Sequence, residues 1–158
     1  GPTGPTGPAG SDAVIGPAEY ANCLRNSGGT FNDGDTVFYN WSEFYNSFTT
    51  AAANPSWVNI GAGSGIKIVS ISCGISVSSS TGSPFMALYV NGSSQNSTGS
   101  ADSILKDRSV RILPGTGNYA LTATLFLNDN SIVDVRIIGG SVTLEAGTNA
   151  YLSCFRVK

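Results

Sequence analysis

Through the middle of the chain, apolar residues alternate with small polar ones. Val69, Ile71, Cys73, Ile75 and Val77 are separated by Ser70, Ser72, Gly74 and Ser76. A period of two predicts a strand with one buried face and one polar face. Tyr119, Leu121, Ala123, Leu125 and Leu127 repeat the pattern against Thr122 and Thr124. Val133, Val135 and Ile137 repeat it with Asp134 and Arg136 expected outward, until Gly139-Gly140 is expected to break the strand. Residues 85–90 are apolar at nearly every position, as in a strand buried on both faces, and leave through the turn dipeptide Asn91-Gly92. The final run, Tyr151 to Val157, has two largely apolar faces and is expected to lie centrally in a sheet. Shorter strands are expected near Glu19 to Leu24, Thr36 to Phe38, Val110 to Leu113 and Val142 to Leu144. Gly and Asn clusters punctuate them.

One segment departs from this period. Trp41, Phe44, Tyr45 and Phe48 are spaced by three, four and seven, which permits a single amphipathic turn or short helix. It is expected to plug one end of the fold or to enter a subunit interface, where aromatic side chains concentrate. The total of about eight to ten strands predicts an all-β, two-sheet jelly-roll sandwich.

Composition narrows the functional classes. Charged residues are 11% of the 158, the formal net charge is −2 and histidine is absent. So few cations leave no footprint for a phosphate backbone, so nucleic acid is not an expected partner. No apolar stretch is long enough for a membrane span. No charged n-region followed by an apolar h-region opens the chain, so no export signal is expected in it. Without histidine, Ser-His, Cys-His and His-zinc chemistry is excluded. Cys23, Cys73 and Cys154 have no CxxC spacing and an odd count, which suits neither a zinc site nor a full intrachain disulfide framework. Cys73, on the apolar parity of its strand, reads as a buried small hydrophobe, whereas Cys23 and Cys154 pair only if the fold brings them together. Asn32-Asp33-Gly34-Asp35 offers hard oxygens on a tight turn, the best calcium candidate, with an ordinary turn as the default. No two carboxylates are set toward one cleft, and neither a catalytic residue nor a cofactor is expected. Asn40-Trp41-Ser42, Asn91-Gly92-Ser93 and Asn96-Ser97-Thr98 match the N-glycosylation sequon, which has meaning only in a eukaryotic secretory pathway.

The N-terminus obeys a different rule. Gly1 to Ala9 reads Gly-Pro-Thr, Gly-Pro-Thr, Gly-Pro-Ala, and Gly10-Ser11-Asp12 supplies a fourth triplet before the period ends. Glycine at every third position is the collagen signature, since only glycine fits the axis where three polyproline-II chains meet. The period implies three chains, and so few triplets read as the stump of a longer stalk. Residues 1–18 are therefore taken as stump and linker and residues 19–158 as a C-terminal domain. Thr3 and Thr6 are candidate O-glycosylation positions.

A collagen stump joined to a Gly/Ser-rich β domain resembles the collagen-like exosporium glycoproteins that form the hair-like nap of bacterial spores. The likeness rests on Gly65-Ile66-Lys67-Ile68-Val69-Ser70-Ile71, on Leu88-Tyr89-Val90-Asn91-Gly92 and on the run from Ile132 to Leu152. It implies a trimeric jelly roll similar to the tumour-necrosis-factor and complement globular-head folds, outside the cell on the spore surface. The implied roles are trimerisation, filament capping and adhesion. Because loops on a rigid sandwich are where binding sites usually lie, Ser93 to Asp107 and Leu113 to Tyr119 are the candidate loops for a host receptor or matrix ligand, with solvated connections as the default. Trp41, Phe44, Tyr45, Phe48, Tyr151 and Phe155 are the candidate trimer-interface residues. The receptor-binding tip of a phage or viral fibre is the alternative, because it too joins collagen triplets to trimeric β heads.

Overall fold

The computed structural model describes Gly1 and residues 19–39, 44–46, 48, 56–61, 65–91, 93–94, 108–147 and 149–157. The collagen-like triplets with Thr3 and Thr6, the residues Trp41, Asn96 and most of the loop 93–107 lie outside the described residues. The described elements are ten strands: β1 (Tyr20–Arg25), β2 (Gly29–Phe31), β3 (Phe44–Asn46), β4 (Val58–Asn59), β5 (Lys67–Val90), β6 (Ser93–Ser94), β7 (Ser109–Arg111), β8 (Gly117–Leu127), β9 (Ile132–Leu144) and β10 (Ala150–Arg156). All pair antiparallel.

The ten strands form one hydrogen-bonded sheet that curls over a single core, rather than the two separate sheets expected. The cause is β5, whose 24 residues run through both halves. Its first half pairs with β10 and β8, and its second with β9, β7 and β6. The strand bends between them at register shifts near Val77–Ser79 and Gly82–Phe85. The sequence reads residues 69–77 and 85–90 as separate strands and predicts a break at Gly139-Gly140, yet β5 runs through both and β9 continues through its glycine pair. The two strands bend together: a Cβ on Gly140 would lie 2.3 Å from the Thr81 carbonyl oxygen and 3.0 Å from Pro84 Cδ. Glycine here permits a bulged corner with the ladder intact.

The inward parity is the one predicted. Val69, Ile71, Cys73, Ile75 and Val77 are buried, and so are Leu121, Ala123, Leu125 and Leu127 opposite Val133, Val135 and Ile137. Each fully buried aliphatic side chain contributes about 1.5–3 kcal/mol. Residues 85–88 are buried at every position, as expected for a strand covered on both faces. Asp134, expected outward, is buried instead. Residues 34–37 run beside β9, with Val37 N–H donating to the Val135 carbonyl, and the Arg136 guanidinium folds onto the Asp134 carboxylate at 3.0 Å. Burial still raises the Asp134 pKa, opposed by hydrogen bonding and charge from Arg136.

The helical spacing around Phe44 does not become a helix. Phe44–Asn46 is a strand that pairs with β1, since the outer edge of β1 offers unpaired backbone groups that a turn would leave unsatisfied. Phe48 is buried in the core. Of the expected strand at Thr36 to Phe38, only a single bridge between Thr36 and Arg136 forms.

Candidate functional site

Four neighbouring strands, β1, β10, β5 and β8, present one face that no described element covers. Their registers stack side chains into rungs. The rung nearest the N-terminal segment joins Tyr20, Phe155, Ser70 and Thr124. The next joins Asn22, Ser153, Ser72 and Thr122, and the third joins Leu24, Tyr151, Gly74 and Ala120. Ile68 and Phe126 extend the face below the first rung. None of these residues is charged. Period two produces the arrangement, because residues whose neighbours fill the core must point the other way.

The face is apolar at its base and hydroxyl-rich in the middle. Phe126 is 74% exposed, Phe155 53% and Tyr20 41%, all on the lower rungs. Rings this open cost free energy in water unless something covers them. In the middle rung Ser153 Oγ donates to Asn22 Oδ1 at 2.8 Å.

At the far end the face sinks into a cavity of about 320 Å³, lined by Leu24, Gly74, Asn118, Tyr119, Asn149 and Tyr151 among others. Position 74 has no side chain, and the Tyr151 ring takes that space. A Cβ there would lie 2.5 Å from Tyr151 Cε1 and 3.0 Å from the Tyr119 carbonyl oxygen, so the Tyr151 ring lies flat over bare backbone. Asn149 is held rigidly, its Nδ2 donating to the Ser27 and Glu145 carbonyls.

At the base, charge is concentrated at the N-terminal root of β1. Lys67 is fully buried, its Nζ donating to the Ile60 carbonyl at 2.7 Å and lying 3.6 Å from Glu19 Oε1. Glu19 Oε2 also accepts from Arg156 Nη1 at 2.5 Å, and Arg156 N–H donates to the Glu19 carbonyl. This clamp ties the start of β1 to the start of β5 and the end of β10. A second buried cation, Arg25, lies between the Phe31 and Phe38 rings at 5.1 and 4.2 Å and donates to the Phe38 and Gly28 carbonyls. Neither cation was legible as buried in the sequence.

Of the six aromatic positions singled out in the sequence, Tyr151 and Phe155 lie on the uncovered face. Phe48 is in the core, Phe44 and Tyr45 lie in β3, and Trp41 lies outside the described residues. Sequence reasoning missed Tyr20 and Phe126, although both lie on the outward parity of strands it predicted.

Other candidate chemistry resolves into structure. Cys23, Cys73 and Cys154 are free and buried on the inner side of three adjacent strands, Cys23 and Cys73 sharing a rung with Leu152, so no disulfide joins Cys23 to Cys154. Burial pushes the Cys23 and Cys73 thiols up to about 12 and Cys154 well above its ordinary value. The Asn32–Asp35 turn uses its carboxylates internally: Asp33 accepts from Gly139 N–H at 2.8 Å and Asp35 from Asn32 N–H at 2.7 Å. Among the described residues, no group of three or more His, Cys, Asp or Glu side chains could hold a metal ion. No helix among them is long and apolar enough to cross a membrane.

Known folds match this architecture. It is similar to the Eiger TNF of S. frugiperda, with TM-score 0.54 and 12% identity over 90% of this chain and 94% of that one. The globular domain of zebrafish complement 1qA matches with TM-score 0.53 and 12% identity over 89% of this chain and 98% of that domain. Murine APRIL matches with TM-score 0.53 and 10% identity over 89% and 100%. At such identity the likeness is one of fold: an all-β, curled antiparallel sheet of the TNF-like jelly-roll type. No family model matches the sequence. No curated protein matches it either.

Proposed function

We propose that the domain from Glu19 onward is a non-enzymatic trimerisation head, packing three copies through the face of β1, β10, β5 and β8 and registering the chains of a collagen-like stalk. The observation that carries this reading is the face itself: four strands wide, free of charge and bearing Tyr20, Phe126 and Phe155 open to water. A surface without charges can be buried against copies of itself without stranding an ion. Three copies, rather than two or four, are implied by the Gly-Pro-Thr period, which requires three chains around one axis. A compact trimer would also hold the stalk ends at high effective concentration, which short triplet runs need in order to find register.

The wider setting follows from the sequence resemblance. The head would cap a filament outside the cell on a bacterial spore surface, its exposed loops available to a host receptor or matrix ligand. A phage or viral fibre tip has the same architecture and remains the second reading, favoured by the same stump and head. Light scattering on the whole chain tests the assembly. A mass of three chains that falls to one on Phe126→Ser with Phe155→Ser supports it, and a wild-type monomer at micromolar concentration sinks it.

A further inference from the structure

The registers continue one rung past Tyr151. Leu24, Tyr151 and Ala120 share the third rung with Gly74, and Asn149, Ser76 and Asn118 lie on the next, where Ser76 pairs with Asn118 and its N–H donates to the Asn149 carbonyl at 2.7 Å. All of these residues line the cavity of about 320 Å³ at this end of the face. One wall is therefore apolar, the other bears amides and a hydroxyl, and no lining residue is charged.

Two observations give an occupant its chemistry. The Tyr151 ring rests one face on the Gly74 backbone, so its opposite face is turned away from the sheet, a flat platform on which a second aromatic ring stacks at an offset. Asn149 is only 2% exposed and spends its Nδ2 protons on the Ser27 and Glu145 carbonyls. Its Oδ1 is left buried, and no described residue donates to it. An acceptor kept from water without a donor is costly, and a donor on a bound molecule removes that cost.

The same walls exclude other occupants. An ion would leave water with no opposite charge to meet it. Water alone finds hydrogen-bond partners on one wall only. A dry cavity of about 150 Å³ holds a single benzene ring, so this one, at about twice that volume, suits two fused rings.

We infer that this cavity is a binding site for a neutral fused-ring aromatic molecule carrying one hydrogen-bond donor, of the naphthol or indole class. Its rings stack on Tyr151 against Leu24 and Ala120, and its donor meets Asn149 Oδ1. The site is formed within one chain, so it goes beyond the trimer reading and does not depend on it.

Titration calorimetry of the whole chain with 2-naphthol tests the site, in the wild type and in Phe126→Ser with Phe155→Ser, which removes the exposed rings at the other end of the face. Saturation at one molecule per chain, with a dissociation constant of about 0.1 mM, is expected in both. Binding by the double variant alone also upholds the site and shows that assembly covers it. The donor-free 2-methoxynaphthalene and the charged 2-naphthoate are each expected to bind about tenfold or more weakly. Ala120→Trp, which fills the cavity from an exposed position, is expected to abolish binding while circular dichroism stays unchanged. No saturable binding in either protein, equal affinity for the three probes, or binding untouched by Ala120→Trp overturns the site. Light scattering on the same samples reads assembly separately: a trimer that binds nothing leaves the trimer reading standing, and a monomer that binds leaves this site standing alone.

Discussion

Replacing Glu19 with Gln isolates the clamp at the root of β1. The substitution keeps the shape of the side chain and removes its charge, leaving the Lys67 ammonium with the Ile60 carbonyl as its remaining close partner. Two unit charges 3.6 Å apart attract by about 5 kcal/mol at an effective dielectric of 20 and by about 1 kcal/mol in bulk water. Lys67 is fully buried but the Glu19 side chain is 22% exposed, so the loss falls between these limits, at about 2–3 kcal/mol. Arg156 also loses the opposite charge, but at 30% exposure it is hydrated and the loss adds little. Urea unfolding followed by circular dichroism at fixed protein concentration measures the difference. Lys67→Met is the control, since an unbranched apolar side chain of similar length occupies the site without an ion and is expected to be neutral or stabilising. In that background Glu19→Gln should cost less than about 0.5 kcal/mol. A Glu19→Gln loss of the same size with and without Lys67 would refute the reasoning, because the cost would then come from elsewhere than the buried charge.

Two further outcomes follow from packing and titration. A methyl group on Gly140 meets the Thr81 carbonyl at 2.3 Å, so Gly140→Ala is expected to cost about 1–3 kcal/mol in unfolding free energy by forcing apart the bulged corner of β5 and β9. A change below about 0.5 kcal/mol would show that the corner yields freely. The three thiols should resist an aromatic disulfide reagent at pH 8 in the native state and react fully in guanidinium. Because Cys23 and Cys73 ionise near 12 when folded and near their ordinary 9.0 when unfolded, their protonated form stabilises the native state below pH 9. That contribution is lost as pH rises from 9 toward 12, so thermal unfolding should move to lower temperature across that window. An alkaline profile that is flat, or moves upward, contradicts the buried placement.

The sequence by itself determined which residues face inward. The alternation through residues 69–77, 119–127 and 133–137 survives as buried parity because a strand with one face on a core has a single workable register of side chains. It also determined the absence of histidine chemistry and the central place of the last strand, which is hydrogen-bonded to β1 on one side and β5 on the other. Local signals misled where tertiary pairing overrode them. Gly139-Gly140 reads as a break, and residues 69–77 and 85–90 read as two strands, but two strands bulging at the same corner keep their ladder, and only their mutual register reveals that. The aromatic spacing around Phe44 suited a helical turn, but the free edge of β1 was a better partner for that backbone. Asp134 has the outward parity of an exposed charge and is covered by chain from residues 34–37. Only the tertiary structure decided the rest: that Tyr20, Phe155 and Phe126 gather on one uncharged face, that Tyr151 packs over Gly74 beside a cavity there, and that Lys67 meets Glu19 out of water. These depend on the order in which strands lie side by side, and strand order is set by long-range pairing that no local pattern of hydrophobic and polar residues encodes.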